Sequence, residues 1–146
     1  MTIQTRYITA DDYKDFFGKD LASELAVNDN PSNEANAFIM RTEVEIETML
    51  NCFYGKNITA LYPHLNDIQK QHYQLALLYQ VNYKLINGDI INDSGYDFEN
   101  GDRANAETIL SKSLAPMARM QLELSGLLNR HIGNGRGGVK FPWQLM

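Results

Sequence analysis

The stretch from Asn66 to Asn87 places the strongest constraint on how this chain can fold. It contains 22 residues without Gly or Pro, and it lies between Pro63 and Gly88. At ~1.5 Å per residue, a helix over this stretch spans roughly 30 Å, the width of a small domain. Apolar residues cover most of the circumference of its second half, whereas one buried face takes an arc of only about 100°. We therefore expect a central helix that other helices contact on two or more sides.

Two helices are predicted before this stretch. Thr9, followed by two Asp residues, is typical of a helix start, and Gly18 is expected to end that short helix. An apolar repeat of three to four residues predicts a longer helix from about Asn33 to Phe53, which Gly55 should end. Between the two helices, one further helical turn is expected around Leu21.

A last helix is predicted after the central one. Ser111 or Ser113 is expected to cap it, Pro116 to lie in its first turn, and Gly126 to bend it or end it early. Its predicted apolar stripe comprises Met117, Met120, Gln121, Leu124, Leu127 and Leu128. The expected fold class is therefore all-α: a small bundle of four to five helices around a long central helix, with a long loop or small hairpin before the last helix and extended termini.

The C-terminal end differs in composition from the rest of the chain. Length predicts one domain, and we place the helical domain at residues 1–132 and a flexible Gly-rich tail at residues 133–146. Four of the six residues in 133–138 are Gly, and apolar residues follow. From residue 125 onward there are three Lys or Arg and no Asp or Glu. The tail is expected to be a tether whose apolar end packs on this domain or inserts into another.

Charge and composition exclude several functional classes. The formal net charge is −5, which disfavours a protein that grips nucleic-acid phosphates. Cys52 is the single cysteine, so no disulfide can form within the chain. No segment resembles a signal peptide or a run of about 20 apolar residues. We expect a soluble, cytosolic protein with no membrane partner.

The pattern of reactive residues does not indicate catalysis. His64, His72 and His131 show no metal-ligand spacing, and Cys52 has no indicated base partner, so a buried structural role is expected for it. The acidic segment 89–102 lacks the EF-hand register. The Gly-rich tail lacks the Lys-Ser/Thr pair of a phosphate-binding loop. We expect no catalytic residue, no cofactor and no metal, hence not an enzyme.

Three glutamates at alternate positions raise the question of an acid–base pair. Glu43, Glu45 and Glu47 lie on the predicted second helix. Alternate residues do not share a face of a helix. A charged, solvent-exposed face is therefore expected for them.

Four stretches of the chain together resemble a known family. They are Tyr7–Tyr13 (YITADDY), the amphipathic helix through Phe38, Arg41, Ile46 and Phe53, the run ALLYQVNY at 76–83, and LAPMA at 114–118 continuing to SGLLNRHIG at 125–133. The third is close to the family pattern A-x-x-Y-Q-V-x-Y. In this order and spacing, the chain resembles the head–tail connector proteins of long-tailed bacteriophages, also called adaptor or head-completion proteins.

The resemblance implies a structural role in the virion. Such proteins assemble as a ring, typically of twelve copies, that docks below the portal protein and extends the DNA channel towards the stopper or tail-completion protein. Double-stranded DNA passes through without sequence-specific binding. The implied location is the head–tail interface of the virion, after assembly in the host cytoplasm.

Aromatic and basic residues at the ends are the expected contacts of such a ring. The residues expected at the interface with the portal or a neighbouring subunit are Tyr7, Arg136, Lys140, Phe141 and Trp143. Those expected in an interface or channel loop are Tyr96 and Phe98. Packing within one chain is the alternative for Tyr7, Phe141 and Trp143.

Two further expectations concern the central helix and the long acidic segment. Gln80, Asn82 and Lys84 are polar, and we expect them where the central helix borders a neighbouring subunit. The alternative function is a non-viral helical protein-binding or regulatory module, with the acidic loop 89–102 as its ligand site.

Overall fold

The computed structural model describes residues 3–25, 30–88 and 114–128. Within these ranges the chain is helical and has no strand, which confirms the all-α class. The helices are α1 (Ala10–Phe17), α2 (Leu21–Glu24), α3 (Pro31–Tyr54), α4 (Ile58–Leu61), α5 (Asp67–Asn87) and α6 (Pro116–Leu124), with a 3₁₀ turn at Tyr62–His64 before α5. The described residues contain six helices rather than four to five, because the single turn α4 was not predicted, whereas α2 is the helical turn expected around Leu21.

Local capping explains where α1 begins and where α1 and α3 end. The Thr9 hydroxyl accepts a hydrogen bond from the Asp12 N–H at 3.1 Å, and the Asp12 carboxylate accepts one from the Thr9 N–H at 2.9 Å. Gly18 and Gly55 end α1 and α3 with φ of 75° and 66°, in the left-handed region that favours glycine. The predicted ends of both helices are confirmed.

The predicted central helix is also confirmed, as α5. The side chains of Asn66 and Gln69 cap its first turn reciprocally, and Gly88 follows its last residue. It contacts α1, α3 and α6, and its fully buried residues Tyr73, Leu77 and Val81 lie at the centre of the core. No helix in the described part of the chain is long and apolar enough to cross a membrane.

Helix α6 starts and packs differently from the expectation. It begins at Pro116 after Ala115, which offers no side-chain cap, so the predicted Ser cap is wrong. A tertiary contact fixes the start instead, because the Ala115 N–H donates to Gln80 Oε1 at 2.8 Å. The helix ends at Leu124, and Gly126 follows with φ of 83°, which confirms the early end.

Helices α5 and α6 run antiparallel along each other. The start of α6 is bonded to Gln80, its middle to His72, and the turn after it to Gln69. Ala118, which is small, and Leu122 face α5 and are buried. The apolar stripe predicted for α6 is therefore partly wrong. The short Ala118 faces α5 and lets the two helices pack closely, whereas the long side chains of Met117 and Met120 face outward. The predicted loop or hairpin before α6 and the predicted tail boundary at 132/133 lie outside the described residues.

Candidate interaction surfaces

The N-terminal arm, residues 3–9, is attached to α3 by a buried carboxylate. Glu43 is fully buried, and its two oxygens accept hydrogen bonds from three successive backbone N–H groups. Oε1 accepts from Arg6 at 2.9 Å, and Oε2 accepts from Tyr7 at 2.6 Å and from Ile8 at 3.1 Å. Burial raises the pKa of the Glu43 carboxyl, and the three N–H groups lower it by less. The arm has no strand or helix of its own, so Glu43 supplies its missing backbone partners.

The expectation of a solvent-exposed glutamate face on α3 is therefore wrong. Glu45 is also buried, and the side chain of Glu47 is only 15% exposed. Glu47 pairs with Arg6 of the arm at 2.7 Å. The arm and α5 cover the faces of α3 that the residue pattern of this helix, taken alone, predicts to be solvent-exposed.

Side-chain amides hold the rest of the arm. The Ile3 N–H donates to Asn33 Oδ1 at 2.8 Å, and the Asn36 amide donates to the Ile3 carbonyl at 3.3 Å. From α5, the Gln74 amide donates to the Tyr7 carbonyl at 3.1 Å. The arm is thus a fixed part of the fold and contacts both long helices.

Tyr7 lies within an aromatic cluster of the same chain. Its ring centroid is 4.7 Å from that of Tyr62 and 5.2 Å from that of Tyr73, the latter edge-on. Tyr7 is half-buried, and burial raises its pKa to about 12. The structure therefore places Tyr7 in intrachain packing, the alternative left open by the sequence, while an additional interface role for it stays a prediction.

The polar residues of α5 that were expected at a subunit border are used inside the chain. Lys84 Nζ lies 2.9 and 2.8 Å from the two carboxylate oxygens of Glu45, and it stands over the Phe38 ring at 5.2 Å. The Lys84 side chain is 3% exposed and Gln80 is fully buried. The expectation that they border a neighbouring subunit is wrong for both, because Lys84 pairs with Glu45 of α3 and Gln80 accepts a hydrogen bond from Ala115, just before α6.

Asn82 is the third of these residues, and it is half-buried. Its Oδ1 accepts a hydrogen bond from the Tyr13 hydroxyl of α1 at 2.9 Å. Tyr13 itself is fully buried, and burial raises its pKa to about 12. Asn82 therefore links α1 to α5 within the chain, whereas we expected it at the border with a neighbouring subunit.

Two apolar surfaces lie on the outside of the described helices. The α6 surface consists of Met117, Met120 and Leu124, which are spaced as one helical face and are 40%, 54% and 61% exposed. The α3 surface is a groove of about 520 Å³ lined by Ile3, Ala37, Met40, Arg41, Val44 and Glu45. The two surfaces belong to different helices and have different shapes.

A third surface, the concave α1–α5 groove, has a volume of about 320 Å³. Its apolar lining comes from Ile8, Phe16, Leu75 and Leu78, and it also includes Asp12, Asp15, Gln71 and Gln74. Phe16 is 44% exposed and packs edge-on against Tyr79 of α5 at 5.4 Å. The groove thus combines an apolar lining with acidic side chains.

The reactive residues of the described ranges do not converge. Cys52 is exposed, contrary to the expected buried role, because it lies on the outer side of α3 near its end. The His72 ring nitrogen Nδ1 lies 2.7 Å from Gln121 Oε1, which joins α5 to α6. Within residues 3–25, 30–88 and 114–128, no group of three or more His, Cys, Asp or Glu side chains could hold a metal ion.

The other predicted contact residues lie outside the described part of the chain. They are Tyr96, Phe98, Arg136, Lys140, Phe141 and Trp143. The same holds for the acidic loop 89–102 and for His131. Their predicted roles are neither supported nor contradicted by the fold.

A scan against models of known protein families, a search of curated proteins and a search of solved structures each gave no match to this chain.

Proposed function

We propose that this protein is a structural subunit of a phage head–tail connector ring, an adaptor that docks onto the portal protein and extends the DNA channel towards the stopper and tail. The support from sequence is the likeness of four stretches in order. Within the described residues these stretches coincide with the arm and α1, with α3, with α5 and with α6. The likeness therefore runs through the residues that build the core as well as those that face outward.

The observation that carries the proposal is the pair of separate apolar surfaces. Exposed apolar patches on a small soluble domain are typical of protein–protein contact sites. A subunit of a closed ring contacts its two neighbours through two different surfaces, one complementary to the other. The protruding Met117, Met120 and Leu124 of the α6 surface and the concave α3 surface around Met40 and Val44 suit such a head-to-tail contact.

The charge of the chain is compatible with a channel through which DNA moves. Lys and Arg contacts to phosphates release counterions and hold DNA, whereas acidic walls repel it. The chain carries 18 acidic and 13 basic side chains, a net charge of −5. In this proposal DNA passes the ring without being gripped.

Co-expression with the portal protein of the same genome tests the proposal. We expect a particle in which a second ring, of twelve copies, sits on the portal in negative-stain images. Met120→Glu in the α6 surface and Val44→Glu in the α3 surface should each prevent ring formation. Ile68→Glu is the matched control, since Ile68 is an exposed apolar residue like Met120 and Val44 but lies in neither surface.

A mixture of two variants tests the head-to-tail contact itself. Each Met120→Glu subunit keeps an intact α3 surface, and each Val44→Glu subunit keeps an intact α6 surface. One junction can therefore form between them, so the mixture on the portal should yield pairs of subunits but no closed ring. A complete ring from either variant alone would contradict the proposed contact.

A further inference from the structure

The α1–α5 groove has no role in the fold or in the proposed ring contact. Its apolar lining is open to solvent at Phe16, a large aromatic side chain of α1 that is 44% exposed. At about 320 Å³, its volume is at the lower end of the range for sites that enclose small ligands. A site of this size suits one or two side chains of a peptide rather than a whole helix.

The C-terminal segment of residues 139–146 matches the groove in apolar character. It has the sequence VKFPWQLM. Pro142 favours an extended conformation at Phe141, and alternate residues of an extended segment share a face. Val139, Phe141 and Trp143 would then lie on one side, so that one or two of them enter the groove.

The charges of the two partners are also complementary. Residues 10–25, which form α1, α2 and their junction, contain five acidic and two basic side chains, and Asp12 and Asp15 line the groove itself. Residues 129–146 contain Arg130, Arg136 and Lys140 and no acid. Opposite charges at the rim favour this pairing over one with the acidic segment 89–102.

The length of the intervening chain allows the contact. The turn after α6 is bonded to Gln69, so the chain leaves the described region near the start of α5. At 3.6 residues per turn, the groove residues Leu75 and Leu78 lie on the opposite side of α5 from α6, and the exposed Ile68 lies between the two sides. Residues 129–138 extend to about 33 Å, whereas half the circumference of a helix about 11 Å wide is roughly 17 Å.

From these four observations we propose that the α1–α5 groove binds the chain's own C-terminal segment, residues 139–146, with Phe141 or Trp143 against Phe16 and Leu75 and with the basic residues that precede Phe141 near the acidic side chains of α1. The inference does not depend on the connector function. If both hold, the segment would have to leave the groove before it could dock onto another protein, so the groove would regulate when the tail is available.

Fluorescence of the full-length chain tests this directly, because Trp143 is its only tryptophan. Docking predicts blue-shifted emission and weak quenching by acrylamide. Leu75→Lys should raise the quenching constant to that of a free peptide of residues 139–146. Asp15→Lys should raise it in part, whereas Asp11→Lys, the same charge change on α1 outside the groove, should leave it unchanged. Circular dichroism checks that each variant remains helical.

Two results would overturn the proposal. One is a wild-type Trp143 that is quenched as strongly as the free peptide. The other is release of Trp143 by Met120→Lys instead of Leu75→Lys, which would locate the segment on the α6 surface.

Nuclear Overhauser effects provide a measurement that needs no substitution. Contacts are expected between the Trp143 indole and the methyl groups of Leu75 or Leu78 in the full-length chain. In a mixture of labelled and unlabelled chains, these contacts should remain within one molecule. Contacts found only between different chains would overturn the assignment to the chain's own segment and would assign the groove to a second copy.

Discussion

Replacement of Glu43 by Gln examines how the N-terminal arm is held. The change keeps the size of the side chain but removes the charge and one of the two acceptor oxygens. If the remaining oxygen keeps the bonds from Tyr7 and Ile8, the Arg6 N–H then faces an amide NH₂ group, which cannot accept. One backbone donor at the edge of the core is left without a partner.

The size of the effect follows from these bonds. A buried donor without a partner costs about 1–3 kcal/mol, and a bond to a charged acceptor contributes about 1.5–3 kcal/mol against about 1 kcal/mol for a neutral one. Because these contributions are not independent, we expect Glu43→Gln to lower the free energy of unfolding by about 2–4 kcal/mol. That is a large fraction of the roughly 5–15 kcal/mol of a typical domain.

Urea unfolding followed by circular dichroism measures this loss. Glu34→Gln is the matched control, since Glu34 lies on the same helix but is exposed, and it should change the unfolding free energy by less than about 0.5 kcal/mol. Amide hydrogen exchange adds a local measurement, because the Arg6 amide should lose protection in the Glu43 variant. An unfolding free energy within about 0.5 kcal/mol of wild type, or unchanged exchange at Arg6, would refute the reasoning.

The difference in unfolding free energy between wild type and Glu43→Gln should depend on pH with a defined sign. Burial raises the pKa of Glu43 above its ordinary value of 4.5, so the folded protein takes up this proton at a higher pH than the unfolded chain. The stability linked to this group is therefore fully present below about pH 4.5 and is lost as the pH rises through the raised pKa. Gln does not titrate, so the difference between wild type and Glu43→Gln should be larger near pH 4.5 than at neutral pH. The opposite trend would contradict this assignment.

Three further predictions concern other parts of the core. Lys84→Met should lower the unfolding free energy by about 3–5 kcal/mol, because it removes the ammonium group that pairs with the buried Glu45 carboxylate, and adding Glu45→Leu should recover most of the loss in urea unfolding. An additive double variant would contradict this coupling. Burial raises the pKa values of Tyr7 and Tyr13 from 10.0 to about 12, so the linked stability is present below about pH 10 and is lost as the pH rises through 12. Tyrosinate absorbance should then grow together with the loss of helical circular dichroism. Titration of Tyr7 and Tyr13 well before the chain unfolds would argue against their burial. Gly55→Ala should cost about 1–2 kcal/mol from backbone strain alone, since φ is 66° and no atom lies within 4 Å of an added Cβ; a neutral effect in thermal unfolding would contradict the left-handed cap.

The parts of the fold that the sequence predicts are those with local causes. The reciprocal cap of Asn66 and Gln69 lies within four residues, and so does the contact of Thr9 with Asp12. Gly55 ends α3 through its own backbone conformation. In each of these cases the interacting groups lie within one helical turn, so the sequence predicts the bounds of α1 and α5 and the end of α3.

The parts that the sequence does not predict depend on distant partners. Glu43 binds N–H groups at least 35 residues earlier, and Glu45 binds an ammonium 39 residues later. Taken alone, each glutamate has the pattern of a solvent-exposed residue. The same limitation explains α6, because only the position of Gln80 shows that the chain is fixed at Ala115 and that the Met side chains face outward. The candidate surfaces on α3 and α6 can be identified only once the structure shows which side chains of these helices are buried.

The most direct test of the connector proposal is the copy number of this chain on a purified portal. Native mass spectrometry of the co-expressed complex counts the subunits without any assumption about their arrangement. The proposal predicts a mass increase of twelve chains per portal ring, and loss of that increase in Met120→Glu but not in Ile68→Glu. A portal that carries no copy of the chain, under conditions in which both proteins are folded, would contradict it.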